Sequence, residues 1–193
     1  MEGLLESFIT LFVIMDPVGN IPIFMSLTKG MPKSEVKRNI DKSVMVAGIL
    51  LFVFLFFGLR IFDYFSIDLD SFQIAGGIIL LILAVSYVLG FTHKFVKHGA
   101  DLSIPIGTPL LTGPGVITTT IILVKENGPY ITVIAAFLTL LATWLILMHS
   151  SKIYRILGEH WTSVVSRVMG IILAAIAVEF ITKGVLNTLV PVL

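Results

Sequence analysis

Cysteine is absent from the 193 residues, and charged side chains make up only 13% of them. Without a thiol the chain can build no disulfide framework, thiolate metal site or cysteine nucleophile, and its redox compartment is left open. A soluble domain carries roughly 25% charged residues. Half that share cannot cover the surface of a water-soluble globule, which excludes a soluble enzyme. Lys+Arg number 13 and Asp+Glu 12, for a net charge of +1, so the concentrated basic face of a nucleic-acid binder is missing as well. A nucleophile–base arrangement, an HExxH helix and a phosphate-binding loop are also lacking, and His93 and His98 have no partners at metal-ligand spacing. Neither enzymatic activity nor a metal or cofactor is expected.

What the chain has in excess is apolar surface: 56% of its residues are hydrophobic, and the mean hydropathy is +1.03. That excess has to face lipid, which makes the bilayer an obligatory partner. A helix crosses roughly 30 Å of hydrocarbon with about 20 apolar residues. Ser71–Thr92, Leu102–Val124 and Asn127–Ser151 contain no charged residue. Ser43–Leu59 is a shorter uncharged run; Ser7–Thr28 is interrupted only by Asp16, and Val164–Val190 only by Arg167, Glu179 and Lys183. These are six expected spans, too long and too uniformly apolar for β-barrel strands. The acidic start, Met1-Glu2-Gly3-Leu4-Leu5-Glu6, has no cationic n-region and so does not read as a cleavable signal.

Orientation follows from the basic residues. Lys29, Lys33, Lys37, Arg38, Lys42, Lys94, Lys97, Lys152, Arg155 and Arg167 follow spans 1, 3 and 5; Arg60, Lys125 and Lys183 lie on the other side. The bias places the odd-numbered loops in the cytoplasm and both termini outside. Tyr64, Tyr130, Tyr154 and Trp161 fit an interfacial belt. The first loop, from Pro32 to Lys42, reads as an interfacial helix capping the bundle.

An internal repeat is legible. Gly77–Tyr87 aligns without gaps on Gly170–Phe180, with six of eleven positions identical. Span 1 is broken at Asp16-Pro17-Val18-Gly19-Asn20-Ile21-Pro22 and span 4 at Thr112-Gly113-Pro114-Gly115. Pro17 precedes Gly77 by 60 residues and Pro114 precedes Gly170 by 56. Three spans per half give the halves opposite orientation, so the expected fold is all-α: six transmembrane helices as an inverted 3+3 repeat with helices 1 and 4 broken. Residues 1–92 form the first repeat, 93–103 a cytoplasmic linker and 104–193 the second. Such paired breaks are the layout of secondary transporters.

Both breaks fall near the bilayer midplane, roughly 14–15 Å along their spans at 1.5 Å per residue. Proline ends one half-helix and opens the next. The freed backbone groups must be buried in protein or line a cavity. Asp16 supplies its own anion at the first helix start, whereas Gly113 leaves the second without one. A ligand with an ammonium near Asp16 and a carboxylate on the amides of Gly115, Val116 and Ile117 fits between them, which describes an amino acid. Thr118 and Thr119 are expected to face the same space, although such hydroxyls often bond their own helix. Two readings of Glu179 stay open: a coupling carboxylate that loads and releases a proton, or an i, i+4 pair with Lys183. For the breaks themselves the plain alternative is a pair of packing kinks, but an acidic residue at that depth marks function by default.

Met15–Phe24 resembles the first-span motif of the MarC family of integral membrane proteins. Ala75–Leu80 is similar to that family's third-span motif and Pro109–Thr119 to its fourth. Asp16, Gly19, Asn20, Gly113, Pro114 and Gly115 match position by position; Glu179 lies outside the motifs. The resemblance implies a six-span protein of a bacterial or archaeal inner membrane, related to archaeal carriers of glycine, alanine and similar amino acids driven by an ion gradient. The chemistry of the breaks and the resemblance together give an expected site of Asp16, Pro17, Gly19, Asn20, Thr112, Gly113, Pro114, Gly115, Val116, Ile117, Thr118 and Thr119. Protons coupled through Asp16 or Glu179 are the first choice, with sodium second. An exporter of drugs or other metabolites on the same fold, or a non-transporting membrane scaffold, are the rival readings.

Overall fold

The computed structural model describes residues 2–28, 30–89 and 111–189, all of them in helices or the turns between. The expected linker 93–103, His93, His98 and the first half of span 4 through Leu110 lie outside the described residues. Among the described residues seven helices follow in order: α1 (Glu2–Met15), α2 (Ile21–Leu27), α3 (Lys33–Phe65), α4 (Leu69–Leu89), α5 (Pro114–Asn127), α6 (Pro129–Met148) and α7 (Ser150–Leu189). Four stretches among the described residues are long and apolar enough to cross a membrane: α3, α4, α6 and the Ser163–Leu189 part of α7. The other two expected spans are the ones that carry breaks. α1 stops at Met15 and α2 starts at Ile21, while α5 opens at Pro114.

Local chemistry explains each boundary. The residue before a proline is pushed out of the α region, and Asp16 takes φ 44°, a left-handed conformation that Asp tolerates better than most residues. Gly113 is extended (φ −81°, ψ 177°) and Pro114 occupies the first turn of α5, where its missing N–H costs nothing. Ser66 closes α3 in the left-handed region, its N–H reaching the carbonyls of Phe62 and Asp63.

One expectation is corrected. The basic segment after Pro32 is helical but not a separate interfacial helix; α3 begins at Lys33 and runs for 33 residues without interruption. No glycine or proline occurs between Lys33 and Ala47 to stop it. At 1.5 Å per residue it is about 50 Å long, well beyond the hydrocarbon core, so the end bearing Lys33, Lys37, Arg38 and Lys42 projects from it. α7 is interrupted instead, at Gly158 (φ 76°, ψ 167°).

The main core lies where α1 and α3 meet α6, around Leu11, Met15, Leu51, Ala135, Ala136 and Leu140. A second cluster joins α4 to α7 through Leu80, Ala84, Tyr87, Leu173 and Ala177. These two helices pack antiparallel along their lengths, at a distance set by glycine. A Cβ on Gly77 would stand 2.8 Å from the Ala177 carbonyl oxygen and 2.8 Å from Ile181 Cγ1. A Cβ on Gly170 would stand 3.0 Å from the Ala84 carbonyl oxygen and 3.0 Å from Val88 Cγ2. Gly77, Ala84 and Val88 align with Gly170, Ala177 and Ile181, so the two sets of contacts are reciprocal. Small residues at such a crossing let the backbones approach closely, the device that membrane helices use where no hydrophobic drive exists between them. The outward faces carry Phe56, Phe57, Ile82, Phe137 and Ile171, all exposed, as a lipid-facing surface requires.

Candidate functional site

The first break is held by bonds that replace those of a continuous helix. In an uninterrupted helix the Gly19 N–H would bond the Met15 carbonyl; here it bonds Asp16 Oδ1 at 2.9 Å. The Met15 carbonyl accepts the Asn20 side-chain amide instead, at 3.0 Å. Asn20 then presents its Oδ1 to the Tyr87 hydroxyl, which donates to it. Gly19 is required for this turn, because a Cβ there would overlap the Asp16 carboxylate. Asp16 is only 2% exposed, and its Oδ2 has no hydrogen-bond partner among the described residues.

The second break supplies the complementary chemistry. Gly113 caps α5 without a side chain. The Ile117 N–H bonds the Gly113 carbonyl at 3.1 Å. Helix geometry leaves the amides of Gly115 and Val116 without intrahelical acceptors.

The two breaks meet at one cavity of about 20 Å³, room for roughly a single water. Ile14, Met15 and Asp16 line it from the first break, and Gly113, Gly115 and Val116 from the second. Ile79, Leu80, Leu83 and Tyr87 form the α4 wall, with Leu173 contributed by α7. A free carboxylate oxygen and the positive end of α5 thus share a small space with otherwise apolar walls.

The remaining candidate residues are placed elsewhere. Thr112 Oγ1 donates to the Ala47 carbonyl at 3.0 Å, tying the second break to α3. Thr143 of α6 donates to Met15 Sδ at 3.2 Å, tying the first break to α6. Pro17 lies in the turn of residues 17–20 and Pro114 in the first turn of α5. Ile117 packs with Phe62 and Ile121, and its amide is committed to Gly113. Thr118 is fully buried but is not part of the cavity lining. Thr119 bonds the Gly115 carbonyl at 2.8 Å. Glu179 lies on the exposed side of α7, 3.1 Å from Lys183, and is not brought to the cavity.

Tyr87 is the site residue that sequence reasoning missed. In the repeat it stands opposite Phe180, and the added hydroxyl on one side of an otherwise apolar alignment was the available signal.

The model of the MarC family of integral membrane proteins matches residues 1–189. A UPF0056 membrane protein of Archaeoglobus fulgidus is 37% identical, covering 95% of this chain and 92% of its own. YvbG, a UPF0056 membrane protein of Bacillus subtilis, is 35% identical over 98% of this chain and 97% of its own. YhgN, a UPF0056 inner membrane protein of Escherichia coli K12, is 30% identical over 96% and 97%. No solved structure matches the chain. The chain is a member of the MarC family of integral membrane proteins.

Proposed function

We propose that this chain is a secondary carrier of small neutral amino acids such as glycine, alanine or serine, resident in the inner membrane and driven by an ion gradient. The observation that carries the reading is the cavity between the breaks, where the free Asp16 Oδ2 shares a wall with the open amides of Gly115 and Val116. An ammonium pairs with the first and a carboxylate with the second. The two groups of an α-amino acid are separated by one carbon, which suits a space this confined.

The backbone is arranged as six spans in an inverted 3+3 repeat, both termini on the outer side. Two reciprocal sets of contacts support it. Gly77 and Gly170 each pack on the other helix at equivalent positions. Met15 and Thr112, each next to a break, bond Thr143 and Ala47 respectively, so each break is tied to the second helix of the opposite half. Transport then proceeds by rocking one half against the other. A cavity with room for about one water admits the substrate only when its walls part.

Asp16 is the coupling group. One of its oxygens fixes the turn through Gly19 and the other is free to exchange a proton or a cation for the substrate ammonium. Glu179, already paired with Lys183 on an exposed face, is not needed for this step. The test is flux of labelled glycine into proteoliposomes holding the purified protein, with proton and sodium gradients imposed separately. Uptake that follows the proton gradient is the expected result. Absence of gradient-dependent flux for glycine, alanine and serine alike overturns the proposal.

A further inference from the structure

The hydroxyl of Tyr87 lies between the substrate cavity and the first break. Tyr87 lines the cavity, is 7% exposed, and donates to Asn20 Oδ1 across 67 residues of sequence. Asn20 is 1% exposed, and its amide holds the last carbonyl of α1. Both polar ends of the Asn20 side chain are therefore committed, one to α4 and the other to α1. Beside them, Gly19 fixes Asp16 Oδ1 and leaves Oδ2 for the cavity.

From this relay we infer that Tyr87 is a positioning residue: through Asn20 it locks α4 onto the first break, sets the presentation of Asp16 and holds the cavity shut. The lock is one-sided. The aligned residue on α7 is Phe180, which has no hydroxyl to offer, and among the described residues Leu173 is what α7 contributes to the cavity wall. Both partners of the Tyr87–Asn20 bond lie within the first half, so the bond is a local latch beside the rocking of the halves. Movement of α4 away from the first break has to break it, and closing remakes it. The inference rests on the cavity being the substrate site, and its test is chosen so that it does not depend on transport.

The absence of native cysteine makes a single introduced thiol a clean reporter. Val116→Cys places one in the cavity wall at a residue 3% exposed. Its labelling rate by a small uncharged methanethiosulfonate, in the full chain reconstituted in lipid, measures how often the cavity opens. Tyr87→Phe removes only the hydroxyl and should speed labelling roughly two- to tenfold, the population shift that one buried hydrogen bond supports. Asn20→Ala should do the same. The double variant should label no faster than the faster single one, because both remove the same lock. Unchanged labelling in Tyr87→Phe, or independent multiplication of the two effects, overturns the inference; a purely packing role for the ring predicts one or the other. Should one variant fail to fold, the other still decides. Slowing of labelling by added glycine tests the amino-acid reading separately, since the lock operates whatever the cavity binds.

Discussion

Replacing Asp16 by Asn changes the charge of the cavity with little change in shape. The carboxylate does two things: Oδ1 accepts the Gly19 N–H at 2.9 Å, and Oδ2 stands without a partner among the described residues at a site that is 2% exposed. An asparagine keeps the first function through its carbonyl oxygen and turns the free acceptor into a neutral donor. The turn should therefore survive, and with it the fold. The cavity loses the only charge its described lining carries. A hydrogen bond to a charged group is worth about 1.5–3 kcal/mol, so binding of an ammonium should weaken by about 10- to 150-fold, and the coupling ion loses its site altogether. Asp16→Ala is the contrasting change, since it also removes the acceptor for Gly19 and should cost a further ~1 kcal/mol of stability. Labelled-glycine uptake at saturating and limiting concentrations, alongside thermal unfolding of the purified proteins, separates the two effects. Asp16→Asn should unfold close to the parent temperature yet show no gradient-driven uptake. Normal uptake with normal gradient dependence in that variant would remove Asp16 from the mechanism, and the amino-acid geometry with it.

Gly77→Ala and Gly170→Ala should each lower stability by about 1–3 kcal/mol, because each Cβ is forced against a backbone carbonyl; comparable drops in unfolding temperature check the reciprocity, with exposed Ile82→Ala as the control. Gly115→Ala puts a methyl 3.3 Å from Leu80 Cδ2, inside the cavity. It should cut uptake of alanine roughly tenfold more than that of glycine, with Leu80→Ala partly restoring it; equal effects on the two substrates would argue that they bind elsewhere. Glu179→Gln should leave the pH profile of glycine exchange unaltered, since its carboxylate is paired with Lys183 away from the cavity. A displaced profile would bring that residue back into coupling.

The breaks were legible because proline and glycine act locally. Pro17 and Pro114 forbid a continuous helix whatever surrounds them, so the ends of α1 and the start of α5 fall where the sequence places them. The alignment of Gly77 on Gly170 was visible for the same reason, as a glycine within an apolar run has few other uses. Three features could not be read this way because they depend on distant contacts. The Tyr87 hydroxyl finds its acceptor 67 residues away, and Thr112 turns to Ala47 rather than to the cavity. The exposure of Glu179 depends on the rotation of α7 against α4, which sequence spacing alone does not fix. The continuity of α3 was legible in principle, for nothing in residues 33–47 breaks a helix; the charge of that segment suggested a loop helix and outweighed the missing stop signal.

The packing of α4 on α7 has a consequence for how such a protein can arise. Each helix offers the other the same glycine, the same alanine carbonyl and a branched side chain at equivalent heights. An interface of that kind is self-complementary under a half-turn, as the contacts of a twofold dimer are. A three-helix polypeptide able to insert either way up could assemble through it with its own inverted copy, before any covalent joining of the two. On the inverted-repeat architecture proposed above, two such copies, once joined, diverge where symmetry is a hindrance. The aspartate of one break against the glycine of the other, and the tyrosine of one helix against the phenylalanine of the other, are differences that a homodimer could not have held.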